Sequence, residues 1–307
     1  MSFSELNLFP LCLGGNVFGW TADRNDSFAV LDAYAEAGGN FLDTADVYSA
    51  WAPGHIGGES ETVIGEWMAS RRNRDRIVVA TKVGSLNGRT GLSAANIRAA
   101  AEDSLRRLRT DYIDLYWAHI DDATTPLEET LGAFDDLVTE GKVRNIGASN
   151  YSAERLTEAL EISERDGLAR YGVLQQHYNL LERDYEGALR DVVAKAGLTS
   201  TPYFGLARGF LTGKYRPGIT VDSPRAGQAA QYLHSERGPR VLDALDKIAA
   251  SHGAAPATVA LAWLAAQPTV ATPIASARNV EQLRPLLAVA DLTLSEDELA
   301  LLDEASR

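Results

Sequence analysis

The chain is poor in cysteine, in long apolar runs and in positive charge. Its single cysteine, Cys12, excludes an internal disulfide, and a sulfur-based metal site would have to find its other ligands elsewhere. No apolar run is long enough to span a bilayer, and the opening Met1-Ser2-Phe3-Ser4-Glu5 lacks the basic-then-apolar pattern of a signal peptide. Both absences point to a cytoplasmic protein. Lys and Arg number 29 against 42 Asp and Glu, a formal charge of −13. Such a surface repels nucleic acid and anionic membrane, so neither is expected as a partner, although a small anionic ligand can still enter a local basic pocket. No G-x-G-x-x-G joins a strand to a helix, so a Rossmann nucleotide site has no support. No metal-ligand cluster and no paired catalytic carboxylates stand out, so no metal is expected.

What is present is a regular alternation. The 307 residues are 45% hydrophobic, enough for a large core. Residues 7–17 read as a hairpin or strand closing on Gly14-Gly15-Asn16. Strands follow at Asn40–Ala45, Ile77–Thr81, Tyr112–Trp117, Val143–Ala148, Tyr171–Gln175, Thr199–Phe204 and Val270–Ala275. Helices are predicted between them, starting at Asp26 or Ser27, Ser60, Ser93, Pro126, Ser152 and Glu182. After a long Gly/Pro-containing loop at about 205–236, further helices run over 238–251 and 256–266 and start at Asn279 and Ser295. Ser, Asn and Asp at these starts are N-cap residues, and Pro suits a first turn. The strands are short continuous apolar runs, the mark of a parallel sheet covered on its outer face. Eight such units match a single (β/α)₈ TIM barrel over residues 1–307.

Chemistry in such a barrel sits at the C-terminal ends of the strands. Phe41-Leu42 runs into Asp43, with Tyr48 five positions on. Ile77–Thr81 runs into Lys82, and Tyr112–Ala118 runs into His119. Asp, Tyr, Lys and His at strand mouths form a proton-transfer set rather than a packing set. A free tyrosine, with a pKa of about 10, is a reluctant acid near neutrality. A neighbouring ammonium stabilises phenolate, so Lys82 is expected to ease release of the Tyr48 proton. A buried Lys82 needs a counter-charge, and Asp43 is the natural one.

The segments Phe41–Ala45 with Tyr48, Ala80-Thr81-Lys82, and Asp114-Leu115-Tyr116 with His119 together resemble the aldo-keto reductase superfamily. So do Ile146–Asn150, Leu211–Tyr215 and Pro273–Leu283, in order and over nearly the whole chain. The resemblance implies a barrel that binds NADP(H) in extended form and reversibly reduces aldehydes and ketones to alcohols. Tyr48 would be the general acid, Asp43 and Lys82 would tune it, and His119 would orient the carbonyl. A branch of the superfamily that reduces carbon–carbon double bonds carries glutamate at this histidine position, so carbonyl reduction is favoured.

By the same resemblance Gly15, Asn16 and Asp43 line the cofactor groove, and Ser149, Asn150 and Gln175 bond the nicotinamide carboxamide. Tyr203 stacks on the nicotinamide. Phe204, Leu206, Arg208, Gly209 and Lys214 belong to the loop over the pyrophosphate. Ser276 and Arg278 fall where relatives hold the 2′-phosphate, which favours NADPH, and Gln282 matches an adenine contact. Gly205 stands where serine or proline is common, and Pro285-Leu286 replace a usual Glu-Asn pair. Trp20 and Trp51, with Phe18 and Trp117, are candidates to line a substrate pocket around Tyr48 and His119. Loops set specificity in this fold, so the expected partner is a small carbonyl compound of open identity. Two other readings are a barrel that keeps the cofactor but senses or regulates with negligible turnover, as in the potassium-channel β subunits, and an unrelated barrel lyase or hydrolase. Nothing in the sequence sets the oligomeric state.

Overall fold

The structure is a computed structural model and describes residues 3–307. In chain order it runs β1 (Cys12–Gly14), α1 (Arg24–Glu36), β2 (Phe41–Asp43), α2 (Glu59–Arg71), β3 (Val78–Val83), β4 (Ser85–Leu86), β5 (Arg89–Thr90), α3 (Ala94–Leu108), β6 (Ile113–Ala118), α4 (Leu127–Thr139), β7 (Val143–Ser149), α5 (Ala153–Asp166), β8 (Tyr171–Gln175), α6 (Ala188–Lys195), β9 (Thr199–Ser200), α7 (Ala226–Ala230), α8 (Arg237–His252), α9 (Pro256–Ala265), β10 (Ile274–Ala275), α10 (Val280–Leu287) and α11 (Glu296–Ala305). Eight strands pair in parallel in the order β10-β1-β2-β3-β6-β7-β8-β9. The two ends of that sheet meet: the Ala271 N–H donates to the Ser200 carbonyl at 2.8 Å and the Ile274 N–H to the Pro202 carbonyl at 2.9 Å. The result is the (β/α)₈ barrel expected from the alternation, with helices outside.

Strand alternation divides the apolar residues into two layers. Phe41, Ala80, Leu115, Trp117 and Val173 point inward with Cys12 and Ile274, and Phe3 joins this inner cluster. Leu42, Val79, Tyr116 and Leu174, their alternate neighbours, pack outward against the helices. The same period of two carries the inward rows upward into polar residues: Phe41 to Asp43, Ala80 to Lys82, Leu115 and Trp117 to His119, and Val173 to Gln175. The core row of each of these strands therefore ends in the site. Gly147 shows how tight the interior is, since a Cβ there would lie 2.5 Å from the Trp117 ring.

Ser93, Ser152, Asn279 and Ser295 each accept a backbone N–H and cap the helix they were expected to start. Several expectations change, and the strand expected at Val270–Ala275 keeps only Ile274–Ala275 with an isolated bridge at Val270. Helix α1 begins earlier because Asp23, not Asp26 or Ser27, accepts the Asn25 and Asp26 N–H groups. Helix α6 begins only at Ala188, because the Asn179 carboxamide oxygen accepts from the Leu181 and Glu182 N–H groups and holds that stretch in a turn. The strand expected at Thr199–Phe204 keeps two ladder residues plus an isolated bridge from Tyr203 to His177. The long loop at 205–236 contains helix α7 and two 3₁₀ turns, and the β4–β5 hairpin had no sequence signal assigned. No single described helix is long and apolar enough to cross a membrane; α8 and α9 reach that length only as a pair bent by 99°.

Candidate active site

At the mouth of the barrel, Lys82 is wholly buried and its Nζ is saturated by three oxygens: Asp43 Oδ2 at 2.5 Å, Tyr48 Oη at 2.8 Å and the Thr44 carbonyl at 2.8 Å. The other Asp43 oxygen accepts from Gln175 Nε2 at 2.9 Å and from Trp117 Nε1 at 3.1 Å. The Tyr48 hydroxyl lies 3.4 Å from Asp43 Oδ2. Side chains from β3, β6 and β8 thus lock one carboxylate on β2, which in turn fixes the ammonium beside the phenol. The His119 ring stands edge-on to the Tyr48 ring, with centroids 6.2 Å apart. Its buried Nδ1 has no partner among the described residues.

Lys82 acts on Tyr48 in the expected direction, but burial sets the net shift. Burial pushes the Tyr48 phenol up to about 12; Lys82 pulls it down without cancelling that push, and Asp43 adds to it. The phenol is therefore held protonated, not made more acidic than free tyrosine, because desolvation of the phenolate outweighs the adjacent ammonium. Burial alone would lower Lys82, but Asp43 and then Tyr48 raise it above its ordinary value, so it stays charged. Burial and then Lys82 lower His119 to about 3, so its imidazole is neutral at neutral pH.

These groups open onto a cavity of about 830 Å³, within the usual range for ligand sites. Asp43, Tyr48 and His119 form its floor. Trp20 and Trp51 form one wall, their rings 5.5 Å apart and edge-on, with Trp51 6.1 Å from Tyr48. A profile of the Aldo/keto reductase family matches residues 10–307. The chain belongs to the aldo/keto reductase family. Norsolorinic acid reductase of Aspergillus flavus is 31% identical, with 99% of this chain and 79% of that protein aligned. Protein tas of Escherichia coli is 33% identical over 97% of this chain and 94% of its own length. An enzyme named aryl-alcohol dehydrogenase [NADP(+)], from Phanerodontia chrysosporium, is 32% identical over 97% of this chain and 83% of its own. Family and relatives support an oxidoreductase that acts on small-molecule carbonyls with a nicotinamide cofactor.

The cavity walls of this aldo/keto reductase suit such a cofactor. Asn16, Ser149, Asn150, Gln175, Tyr203, Phe204, Leu206, Arg208, Gly209, Lys214, Ser276, Arg278 and Gln282 all line it. Phe204, Ala207, Arg208 and Gly209 all have positive φ, a turned backbone in which the Ala207 and Gly209 N–H groups close the turn on the Phe204 and Leu206 carbonyls. Burial and then the nearby Arg278 charge lower Lys214, so two cations face a common space, and among the described residues the only carboxylate lining the cavity is Asp43. That arrangement fits a phosphate. Asn16 and Ser276 are tied together at 2.7 Å.

Several sequence-based assignments change with the geometry. Gly15 does not reach the cavity; a Cβ there would meet Ser60 Oγ at 2.7 Å, and its neighbours Gly14 and Asn16 form the wall instead. Gln175 Nε2 donates to Asp43 Oδ1, which leaves its carboxamide oxygen as the group it can offer to the cavity it lines. The Asn150 amide donates to the His119 carbonyl at 2.9 Å, and Asn150 Oδ1 accepts from the Tyr203 hydroxyl at 2.7 Å, so this pair holds the two sides of the groove together. Tyr203 itself stacks on His177 with centroids 5.4 Å apart. Phe18 and Trp117 are fully buried and are core, not pocket, although Trp117 serves the site through Asp43. Gly205 is set by packing: a Cβ would lie 3.1 Å from Leu264 Cδ2 and 3.3 Å from the Ile274 carbonyl. Pro285 and Leu286 line the cavity beside Gln282 as apolar wall. Sequence reasoning missed Ser223, Pro224, Arg225 and Gln228, which line the cavity from the long loop. The Ser-Pro-Arg run carried no periodicity that could have placed it.

Proposed function

We propose that this chain reduces aldehydes or ketones to alcohols with NADPH, reversibly, and that Tyr48 is the general acid. The observation that carries the reading is the Tyr48 hydroxyl, 2.8 Å from a buried, charged Lys82 and opening on the cavity. When bound, the reduced nicotinamide supplies a hydride to the carbonyl carbon. The chain's own residues do the rest. The Tyr48 O–H and the His119 ring N–H hold the carbonyl oxygen. Tyr48 then passes its proton to that oxygen as negative charge grows there. A phenol near 12 suits this role, because an alkoxide is a far stronger base than phenolate while a ketone is not. The proton moves only when the transition state calls for it. Lys82 stabilises the resulting phenolate, and Asp43 keeps Lys82 in place. Lys214 and Arg278 with Ser276 would hold the 2′-phosphate, the turned segment 204–209 the pyrophosphate, and Ser149 with Asn150 and Gln175 the carboxamide. The whole chain acts as one domain in which residues 205–236 cover the cofactor, and the compartment proposed is the cytoplasm.

The test is NADPH oxidation, followed by the absorbance of the reduced nicotinamide, against a panel of aldehydes, ketones and sugars. Tyr48→Phe should lose about a hundredfold or more in kcat, of the order that general acid catalysis contributes, while NADPH still quenches tryptophan fluorescence. Undiminished turnover in the variant removes Tyr48 from the role; NADPH binding with no turnover of any carbonyl makes the chain a cofactor sensor.

A further inference from the structure

Just past β8 and β9, three rings pack as one unit behind the cavity wall. Tyr203 lines the cavity and His177 does not, yet their rings lie nearly parallel, with 11° between the planes and 5.4 Å between centroids. An isolated parallel bridge joins the same two residues, and the Tyr203 N–H donates to the Gln176 carbonyl at 3.0 Å. Backbone and side chains are therefore paired at one step of the ladder. Phe204 stands edge-on to both rings, 5.4 Å from His177 and 5.3 Å from Tyr203. The wholly buried Asn179 ties the unit together: its Nδ2 donates to the Phe204 carbonyl at 2.9 Å and lies 3.5 Å from His177 Nε2. On the other side the Tyr203 hydroxyl donates to Asn150 Oδ1 at 2.7 Å. The phenol ring is thus held at its tip by Asn150 and over one face by His177, which leaves its second face to the cavity. Burial, the largest influence, lowers His177; Glu182 and Asp184 pull it up, Arg208 pulls it down, and the net is a fall, so the ring behind Tyr203 is neutral at neutral pH. A neutral backing puts no positive charge behind the place where an oxidised nicotinamide, itself a cation, would lie.

We propose that His177 is a positioning residue for hydride transfer: it holds the Tyr203 ring flat, so that the nicotinamide rests on the free face at a fixed depth and tilt. The inference rests on the reading of this cavity as the place of a nicotinamide cofactor. Hydride transfer requires the reacting atoms to approach to about 3–3.5 Å in the right alignment, so a platform that tilts carries the donor carbon out of reach. Stacked rings resist tilting because each plane fixes the next. What position 177 supplies is then a flat face rather than volume or charge.

The test compares His177→Phe, which keeps a flat ring without a titrating nitrogen, with His177→Leu, which fills similar space without a flat face. NADPH binding is followed by quenching of tryptophan fluorescence in the absence of substrate, and the hydride step by the isotope effect with NADPH deuterated at the transferring carbon. His177→Leu should weaken NADPH roughly threefold to tenfold, as the loss of one aromatic contact predicts. It should also lower kcat and raise the isotope effect on kcat, while KM for the test aldehyde stays nearly unchanged. His177→Phe should restore native values of all of these. Thermal melts serve as the folding control, and His177→Gln, which is polar and lacks a ring, takes the place of the leucine variant if that one melts early. A ringless variant that binds NADPH and turns over as the native chain does overturns the proposal. So does equal impairment of the phenylalanine and ringless variants, which would make the imidazole a hydrogen-bonding partner rather than a flat support. If NADPH binds but no carbonyl is reduced, it is the reductase reading that fails, and the binding comparison alone decides His177: weakening in the ringless variant with recovery in His177→Phe supports the role, and equal affinities overturn it. A native chain that does not bind NADPH overturns the cofactor reading and this inference with it.

Discussion

Replacing Lys82 with methionine separates the structural and chemical parts of the buried cluster. The side chains are similar in length, so the change removes charge and little volume. Asp43 Oδ2 would lose its 2.5 Å partner and keep only the Tyr48 hydroxyl at 3.4 Å, while Oδ1 would retain Gln175 and Trp117. Breaking a buried pair by removing one partner costs about 3–5 kcal/mol, and the surviving donors on Oδ1 argue for the lower end. In a chain this long that corresponds to a fall in Tm of roughly 6 °C. Turnover should fall separately, because Tyr48 would have no cation to stabilise its phenolate and general acid assistance of roughly a hundredfold or more would be lost. The double variant Asp43→Asn, Lys82→Met removes the orphaned charge, and the carboxamide oxygen it introduces can still accept from Gln175 and Trp117. It should therefore regain most of the lost stability and none of the lost activity, a coupling readable from a double-mutant cycle in urea. A single variant that melts with the native chain, or a double variant less stable than the single, would refute the account of the pair. Native turnover in Lys82→Met would refute its chemical role.

Two further outcomes follow from named contacts. Arg278→Ala should weaken NADPH binding roughly tenfold to a hundredfold in fluorescence titration while leaving NADH nearly unchanged, since only the former carries the 2′-phosphate; equal loss for both would sever Arg278 from that group. Asp46 is buried with both carboxyl oxygens unpartnered among the described residues, and burial, then the Glu61 charge, raise it to about 7. A carboxyl raised in the folded state favours folding below its unfolded value near 4, and that contribution is lost as pH rises through about 7, an effect of up to about 4 kcal/mol. Asp46→Asn should then raise the urea midpoint at about pH 8 and change it little at about pH 4; a gain independent of pH would contradict this.

Much of the fold was legible because its signals are local and periodic. Short continuous apolar runs between capped helices specify a parallel barrel, and Ser93, Ser152 and Ser295 act as caps through side chains that reach only three residues on. What escaped depended on contacts remote in sequence or on unusual backbone. Nothing near Asn179 announces that its amide would hold residues 181–182 out of a helix. The positive φ values at Phe204, Ala207 and Arg208 occur at residues that do not favour them, so the turned segment is a product of tertiary packing.

The same distinction governs the site. Asp43, Lys82 and His119 could be read from the sequence because each continues an inward-facing row of its strand, where alternation fixes direction before any packing is known. Tyr48 follows Asp43 closely enough to share its strand mouth. The strength of their coupling could not be read that way. Whether the phenol ends above or below its free value depends on how much water the cavity admits against how near Lys82 stands, and burial wins by pushing it to about 12. Lys82 opposes that push without cancelling it. Arg225 lies at the other extreme. It is far from Asp43 in the chain, on a loop without period, and only the folded loop brings it over Trp20. A sequence reading of a barrel enzyme therefore reaches the reaction before it reaches the ligands. The reaction is written on strands whose alternation is legible, and the choice of ligands is written on loops whose course is not.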